Sequence, residues 1–152
     1  MAKKIDMRSV NKKLSSNKIF KSEMRKKVIK TFDSSKAQLF RDFRSHPVTR
    51  EIAGGPSAQN VSGTLGGYGN LFSFIGFVFG STPIAEVESL FKTIRLGDVK
   101  RAKSTRNTVS VDVSIDMPTK EAFHNATPLP FGGGRSWLYG IESGISGFGS
   151  YM

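Results

Sequence analysis

The stretch VSVDVSIDM, residues 109–117, carries the clearest secondary-structure signal in the sequence. Valine, isoleucine and methionine occupy its odd-numbered positions, whereas serine and aspartate occupy the even-numbered ones. Because successive side chains of a β-strand point to opposite faces, this alternation predicts a strand with one apolar face and one solvated face. Pro118 ends the pattern, since proline cannot donate a hydrogen bond to a strand ladder.

A long amphipathic helix is predicted upstream, from Ile19 to about Ser45, as one helix or as two in tandem. Phe20, Met24, Val28 and Phe32 recur every four residues, as on one face of a helix. Leu39, Phe40 and Phe43 continue this apolar side after a short polar break at Ser34 and Ser35. Pro47 ends this helix, because the residue before a proline is disfavoured in the helical conformation. The preceding residues, 1–18, are predicted to be a flexible basic arm or a helix that forms only on contact.

The rest of the chain alternates loops with short elements. Residues 53–70 and 124–134 are rich in glycine, proline, serine and asparagine and are predicted loops. LFSFIGF (71–77) and SWLYGI (136–141) are short and apolar and are predicted strands. A second helix is predicted over 82–97, because it begins with a threonine cap and a proline and is closed by a glycine.

These elements predict an α+β fold. It comprises a long N-terminal amphipathic helix, a small antiparallel sheet with a second short helix, and an extended, glycine-rich C-terminal tail. The predicted organisation is a basic arm over 1–18, one α+β domain over 19–141 and the tail over 142–152. A chain of 152 residues is the size of one ordinary domain.

Large apolar side chains stand between the glycines of the tail, ESGISGFGSYM. Glycine at this density disfavours a helix or a central strand, so the tail is predicted to be an extended segment laid on a neighbouring subunit. Some phenylalanines of the predicted strand 71–77 are expected at the same kind of interface, and plain core packing is the alternative for them. The expected interface residues are Phe72, Phe74, Phe77, Ile145, Phe148 and Tyr151.

The formal net charge of +11 is concentrated at the front of the chain. Residues 1–31 hold eleven Lys or Arg against two carboxylates, whereas the other 121 residues hold twelve against ten. This asymmetry favours an anionic partner, and a merely solvated helix is the alternative. The expected polyanion contacts are Lys12, Lys13, Arg25, Lys26 and Lys27. No membrane contact is expected, because the most apolar stretch, residues 71–79, is far too short to span a bilayer.

No residue pattern predicts an enzyme, a cofactor site or a metal site. The chain has no cysteine, and His46 and His124 have no carboxylate at ligand spacing, so they are interpreted as turn histidines. The glycine-rich residues 62–70 lack the Lys-Ser or Lys-Thr of a phosphate-binding loop. Asp112 and Asp116 would lie about 13 Å apart on one strand, too far for a catalytic pair.

Residues 45–77 and 135–152 resemble small virion structural proteins of tailed bacteriophages, of the neck or tail-completion (head–tail connector) type. In that family a loop similar to Ser62-Gly63-Thr64-Leu65 precedes the first strand. The GGYGN sequence that follows here and the basic arm depart from the family pattern. The resemblance implies a viral assembly protein without enzymatic activity that forms a homo-oligomeric ring, six- or twelve-fold, around the DNA channel between head connector and tail. It also implies synthesis in the host cytoplasm and incorporation into the virion.

The sequence therefore yields a first hypothesis and two alternatives. The first is a ring-forming neck or tail-completion subunit. Its partners would be other copies, neighbouring virion proteins (connector, tail terminator or tube) and, through a non-specific contact, packaged DNA. One alternative is a general polyanion- or nucleic-acid-binding protein, suggested by the charge. The other is a different virion part, such as a tail terminator, a baseplate component or a capsid-associated protein.

Overall fold

The computed structural model describes residues 6–99, 103–104, 108–131 and 133–144, and these form a mixed α and β fold, as predicted. The helices are α1 (Met7–Ser16), α2 (Lys18–Ser45), α3 (Pro47–Ala53), α4 (Leu71–Ile75), α5 (Pro83–Thr93), α6 (Lys120–Asn125) and α7 (Trp137–Glu142). The strands are β1 (Arg95–Val99), β2 (Lys103–Ser104), β3 (Val109–Ser110) and β4 (Val113–Asp116). The predicted tail lies outside the described residues from position 145 onward.

The described residues form two compact units. Unit 1 contains those between 6 and 37 and between 95 and 116, and unit 2 contains those between 38 and 94 and between 117 and 144. Of helix α2, residues 18–37 belong to unit 1 and residues 38–45 to unit 2. Compactness does not by itself define an independently folding domain, so the division into arm, domain and tail stays a prediction.

The α-helices of unit 1 are separated by a single residue, Asn17. Helix α1 begins at an aspartate cap, where Asp6 accepts a hydrogen bond from the backbone N–H of Arg8 at 3.0 Å. The side-chain oxygen of Asn17 accepts from the backbone N–H groups of Ile19 and Phe20 at 2.8 and 3.2 Å, which caps the start of α2. The predicted long helix is confirmed as α2, and most of the predicted arm is the helix α1.

The β-structure of unit 1 consists of two short antiparallel pairs, β1 with β4 and β2 with β3. The single strand predicted over residues 109–117 is wrong in extent, because Val111 and Asp112 interrupt it between β3 and β4. A bulge in β1 accompanies this interruption: the register shifts between Leu96, which is opposite Ile115, and Val99.

Gly97 does not close the second helix as predicted. That helix, α5, begins at Pro83 as expected, but it ends at Thr93, and Gly97 lies within β1. A Cβ atom at position 97 would lie 2.6 Å from the Ser114 hydroxyl oxygen on β4. The glycine is therefore explained by close approach of the two strands rather than by a helix terminus.

Unit 2 contains the apolar core of the described residues. Its fully buried members come from α3, α4, α5 and α7: Ile52, Leu71, Phe72, Ile75, Val87 and Trp137. Beside them, Phe91 of α5 makes edge-to-face contacts with three other rings. The centroid distances are 5.0 Å to Phe43, 5.8 Å to Phe40 and 5.6 Å to Phe123.

Both strands predicted for this part of the chain are wrong, because local caps make them helices. Asn70 accepts a hydrogen bond from the backbone N–H of Ser73 at 2.9 Å, and Gly76, with a φ of 84°, ends helix α4. In the same way Ser136 accepts from the backbone N–H of Tyr139 at 3.1 Å and starts α7. A short apolar run fits a buried helix as well as a strand, and here the capping residues decide.

The loop predictions hold in part. Residues 58–70 lie between helices in turns and bends, as predicted, whereas a short 3₁₀ helix, Gly55–Ser57, follows α3. Helix α6, capped by Thr119, was not predicted, and its last two residues, His124 and Asn125, lie within the second predicted loop.

Candidate assembly surfaces

A buried carboxylate organises the glycine-rich loop of unit 2. Glu51 is 1% exposed, and its two oxygens accept hydrogen bonds from the backbone N–H groups of Leu71 (2.7 Å) and Ser62 (2.9 Å). Burial alone raises the pKa of Glu51, but the hydrogen bonds from Ser62 and Leu71 outweigh it and leave that pKa below its ordinary value of 4.5. Both oxygens are thus engaged in holding backbone, which makes Glu51 a structural residue of this loop rather than a candidate acid or base.

An ion-pair cluster joins α6 to α7. The Lys120 Nζ atom lies 2.9 Å from a Glu142 carboxylate oxygen, and the His124 Nε2 atom lies 3.5 Å from the same oxygen without forming a hydrogen bond. The Lys120 ammonium group lowers the pKa of Glu142. His124, interpreted from sequence as a turn histidine, instead lies in α6 with its ring edge-to-face to Tyr139. Among the residues that the structure describes, no group of three or more His, Asp or Glu side chains is arranged to hold a metal ion.

The predicted polyanion residues are exposed but do not share one face. Lys12 and Lys13 lie on α1, and Arg25, Lys26 and Lys27 lie on α2. Successive residues of an α-helix point about 100° apart, so the three residues on α2 cannot all meet one flat surface. The Lys26 ammonium group also forms an ion pair with Glu23 of the same helix at 2.8 Å.

The predicted interface residues are divided by the structure. Phe72 is buried in the core, and Phe77 packs between it and Trp137 at centroid distances of 5.4 and 5.8 Å. Phe74 lies on the exposed side of α4. The other three predicted anchors, Ile145, Phe148 and Tyr151, lie outside the described residues.

Three exposed apolar residues of unit 2, Val78, Phe79 and Phe131, were not predicted from the sequence. Phe131 lies over the turn that follows α4, because a Cβ atom at Gly76 would come within 2.5 Å of its ring. Phe131 is 81% exposed, and Phe79, three residues beyond this turn, is 86% exposed, with the exposed Val78 beside it in sequence. We call Val78, Phe79 and Phe131 the loop patch. Apolar surface of this kind commonly marks an interaction site.

Unit 1 has no buried apolar side chain among its described residues, in contrast to unit 2. Asn11 is the one buried residue among them. Ile19 is 74% exposed and Ile115 is 52% exposed. The exposed apolar residues of this unit are Met7, Val10, Leu14, Ile19, Ile29, Val113 and Ile115. The apolar face predicted for α2 is therefore half-buried, whereas Val113 and Ile115 of the predicted apolar strand face are exposed among the described residues.

A groove in unit 1 separates α2 from β1. Its volume is about 510 Å³, and it is lined by α2, by β1 and by Val111. Phe20, Met24 and Leu96 contribute apolar surface, whereas Lys21 and Arg25 contribute positive charge. This groove and the loop patch are the candidate surfaces for contacts with other molecules.

Comparison with known proteins does not place the chain in a family. No protein-family model, no curated protein and no solved structure matches it. Within the part of the chain that the structure describes, no helix is both long enough and apolar enough to cross a membrane. A proposal about function must therefore start from the surfaces described above.

Proposed function

We propose that this chain is a non-enzymatic structural subunit of a tailed-phage particle, a ring-forming neck or tail-completion protein that joins the head connector to the tail. The observation that carries the proposal is the uncovered apolar surface of unit 1. Burial of apolar surface is the main favourable term in folding and in most protein association. A unit whose described apolar side chains all remain at least partly exposed is best completed by another chain.

The energy available from covering this surface is large on the scale of protein stability. Full burial of an exposed valine or isoleucine side chain contributes roughly 1.5–3 kcal/mol. Ile19, Ile29, Val113 and Ile115 are on average about half exposed. Covering these four would contribute about 3–6 kcal/mol, a substantial part of the ~5–15 kcal/mol that stabilises a typical domain.

The loop patch supports a closed assembly rather than a simple symmetric dimer. It belongs to unit 2, whereas the exposed apolar residues named first belong to unit 1. When two different surfaces of one chain meet, the contact is heterologous, and such contacts close into a ring if the rotation between subunits permits. The resemblance of residues 45–77 and 135–152 to neck and tail-completion proteins favours a phage particle as the place of that ring.

The first test is the state of assembly of the purified full-length chain, measured by native mass spectrometry and negative-stain electron microscopy. We expect rings, and we expect the variant Val113→Ser/Ile115→Ser to shift the population to smaller species. Tyr68→Ser is the matched control, because Tyr68 is also exposed but lies in the glycine-rich loop of unit 2. A chain that remains monomeric at high concentration would overturn the proposal.

The second test is the position of the chain in the particle. We expect labelled chain to map to the neck in electron micrographs, and particles assembled without it to lack attached tails until it is added back. Label on the baseplate, at the tail terminator or on the capsid would support a different virion part instead of the neck.

Polyanion binding remains the second candidate, because the cations at 12, 13, 25, 26 and 27 are all exposed. It predicts binding to DNA that weakens with salt and without sequence preference. Arg25→Gln/Lys26→Gln/Lys27→Gln should reduce the slope of log K against log[salt] by about 0.9 for each phosphate that the variant no longer neutralises. The control Arg50→Gln changes an exposed arginine of unit 2 and should leave the slope unchanged. Lack of binding at low salt would exclude this candidate.

A further inference from the structure

The groove of unit 1 follows strand β1. Four consecutive residues of the strand line it, from Leu96 to Val99, together with Val111. The groove therefore extends along most of the five-residue strand.

One edge of β1 has no strand beside it among the described residues, because β1 pairs there with β4 alone, in a two-stranded sheet. An unpaired edge presents backbone N–H and C=O groups that can accept an added strand. On the far side of the groove, Phe20, Met24 and Ile29 of α2 offer apolar surface to side chains of such a strand.

The chain itself contains a segment that suits this groove. Beyond Gly144, the last described residue, the sequence continues for eight residues as ISGFGSYM. This segment contains no proline, so each of its backbone N–H groups can donate a hydrogen bond. It also contains no charged side chain that Lys21, Arg25 or Asp98 in the groove lining would repel. Extended, eight residues span about 26 Å, which exceeds the roughly 17 Å of the five-residue strand β1.

We infer that residues 145–152 of one copy bind in the groove of the next copy, as a strand added to the free edge of β1. Backbone hydrogen bonds to β1 supply affinity, and Ile145, Phe148 and Tyr151 supply apolar contacts to the groove. The inference rests on the proposed assembly function and identifies the contact that links successive subunits. A tail that enters a different surface on the next copy makes a heterologous contact, as a ring requires.

Disulfide trapping tests this contact cleanly, because the chain has no cysteine of its own. One preparation carries Asp98→Cys in the groove, and a second, of different mass, carries Ser146→Cys or Ser150→Cys in the tail. After mixing, exchange of subunits and mild oxidation, we expect a disulfide between the two preparations. Lys30→Cys is the matched control, since it lies on α2 but does not line the groove, and it should give no crosslink with the tail cysteines.

The assembly state of a deletion variant tests the same contact without requiring two cysteines to lie within bonding distance. Deletion of residues 145–152 should convert rings to smaller species while the cooperative unfolding of unit 2, followed by Trp137 fluorescence, stays unchanged. The groove variant Met24→Ser/Leu96→Ser should have the same effect on assembly.

The possible results distinguish tail exchange between copies from the assembly function on which it rests. Rings that persist after the deletion, without crosslinks, would overturn tail exchange while leaving the assembly function standing. A third preparation carries both Asp98→Cys and Ser146→Cys in one chain. If a disulfide forms within this chain but never between chains, the tail folds back on its own groove, and tail exchange between copies is overturned. A chain that forms no rings at all would overturn both.

Discussion

Removing the buried carboxylate of Glu51 should destabilise unit 2 strongly. Glu51→Ala leaves two backbone N–H groups, those of Ser62 and Leu71, without the acceptor they use in the folded chain. An unsatisfied buried donor costs about 1–3 kcal/mol, so two cost about 2–6 kcal/mol. We expect a loss near the middle of that range, because Leu71 is buried whereas Ser62 is only half-buried.

Urea unfolding followed by tryptophan fluorescence measures this effect directly. Trp137 is the only tryptophan and lies in the core of unit 2, so its emission reports the unit that contains Glu51. Glu86→Ala is the control, because Glu86 is exposed on α5, and it should cost less than about 1 kcal/mol. Equal losses for the two variants would refute the structural role assigned to Glu51.

The same carboxylate gives a defined dependence on pH. The pKa of Glu51 is lower in the folded chain than its ordinary value of 4.5, so the folded state favours the ionised form. Its contribution is therefore fully present above the unfolded pKa and is lost as pH falls through the folded pKa. Glu51→Gln keeps the shape of the side chain but directs an NH₂ group at one of the backbone donors. We expect this variant to be less stable at pH 7 and to lose less stability than the wild type between about pH 5 and pH 3. If the free energy of unfolding fell equally with pH for the wild type and for Glu51→Gln, this expectation would be contradicted.

Two further substitutions test the packing of unit 2 by the same unfolding assay. Phe91→Ala removes a partly buried ring that three other aromatic rings contact and should cost about 2–4 kcal/mol, less than a fully buried phenylalanine. Phe79→Ala should change stability by less than about 0.5 kcal/mol because its ring is exposed. Gly76→Ala should destabilise more than Gly80→Ala: both positions have a positive φ, but only at 76 would the new Cβ atom meet the Phe131 ring. Equal costs within either pair would contradict the packing described here.

The sequence predicted helix α2 and the start of α5, whereas α3 and α6 were not predicted and α4 and α7 were predicted as strands. Helix α2 follows from apolar residues three or four apart and a proline stop, and the start of α5 follows from Thr82 and Pro83. The run LFSFIGF was misassigned because a short, mostly apolar run fits either a buried strand or a helix. The asparagine cap at Asn70 and the left-handed Gly76 were visible in the sequence and would have favoured a helix.

The surfaces were harder to predict because they depend on residues that are distant in sequence. The groove needs α2 and β1 side by side, more than sixty positions apart, and no local pattern fixes that arrangement. Glu51 resembles any helix-surface carboxylate in the sequence, and only the fold brings the backbone of Ser62 and Leu71 to it. Phe131 did have a signal, since a phenylalanine between a proline and three glycines has little local structure to pack against.

The exposed apolar residues of unit 1 have a consequence for how easily the chain is cleaved by proteases. Regions with few buried apolar contacts open at low free energy and are cleaved by proteases before a well-packed core is. Under the proposed assembly function, an unassembled copy would thus be cleaved first in unit 1, whereas an assembled copy would be protected. If the proposed assembly function holds, proteolysis of this kind would keep the amount of unassembled chain low.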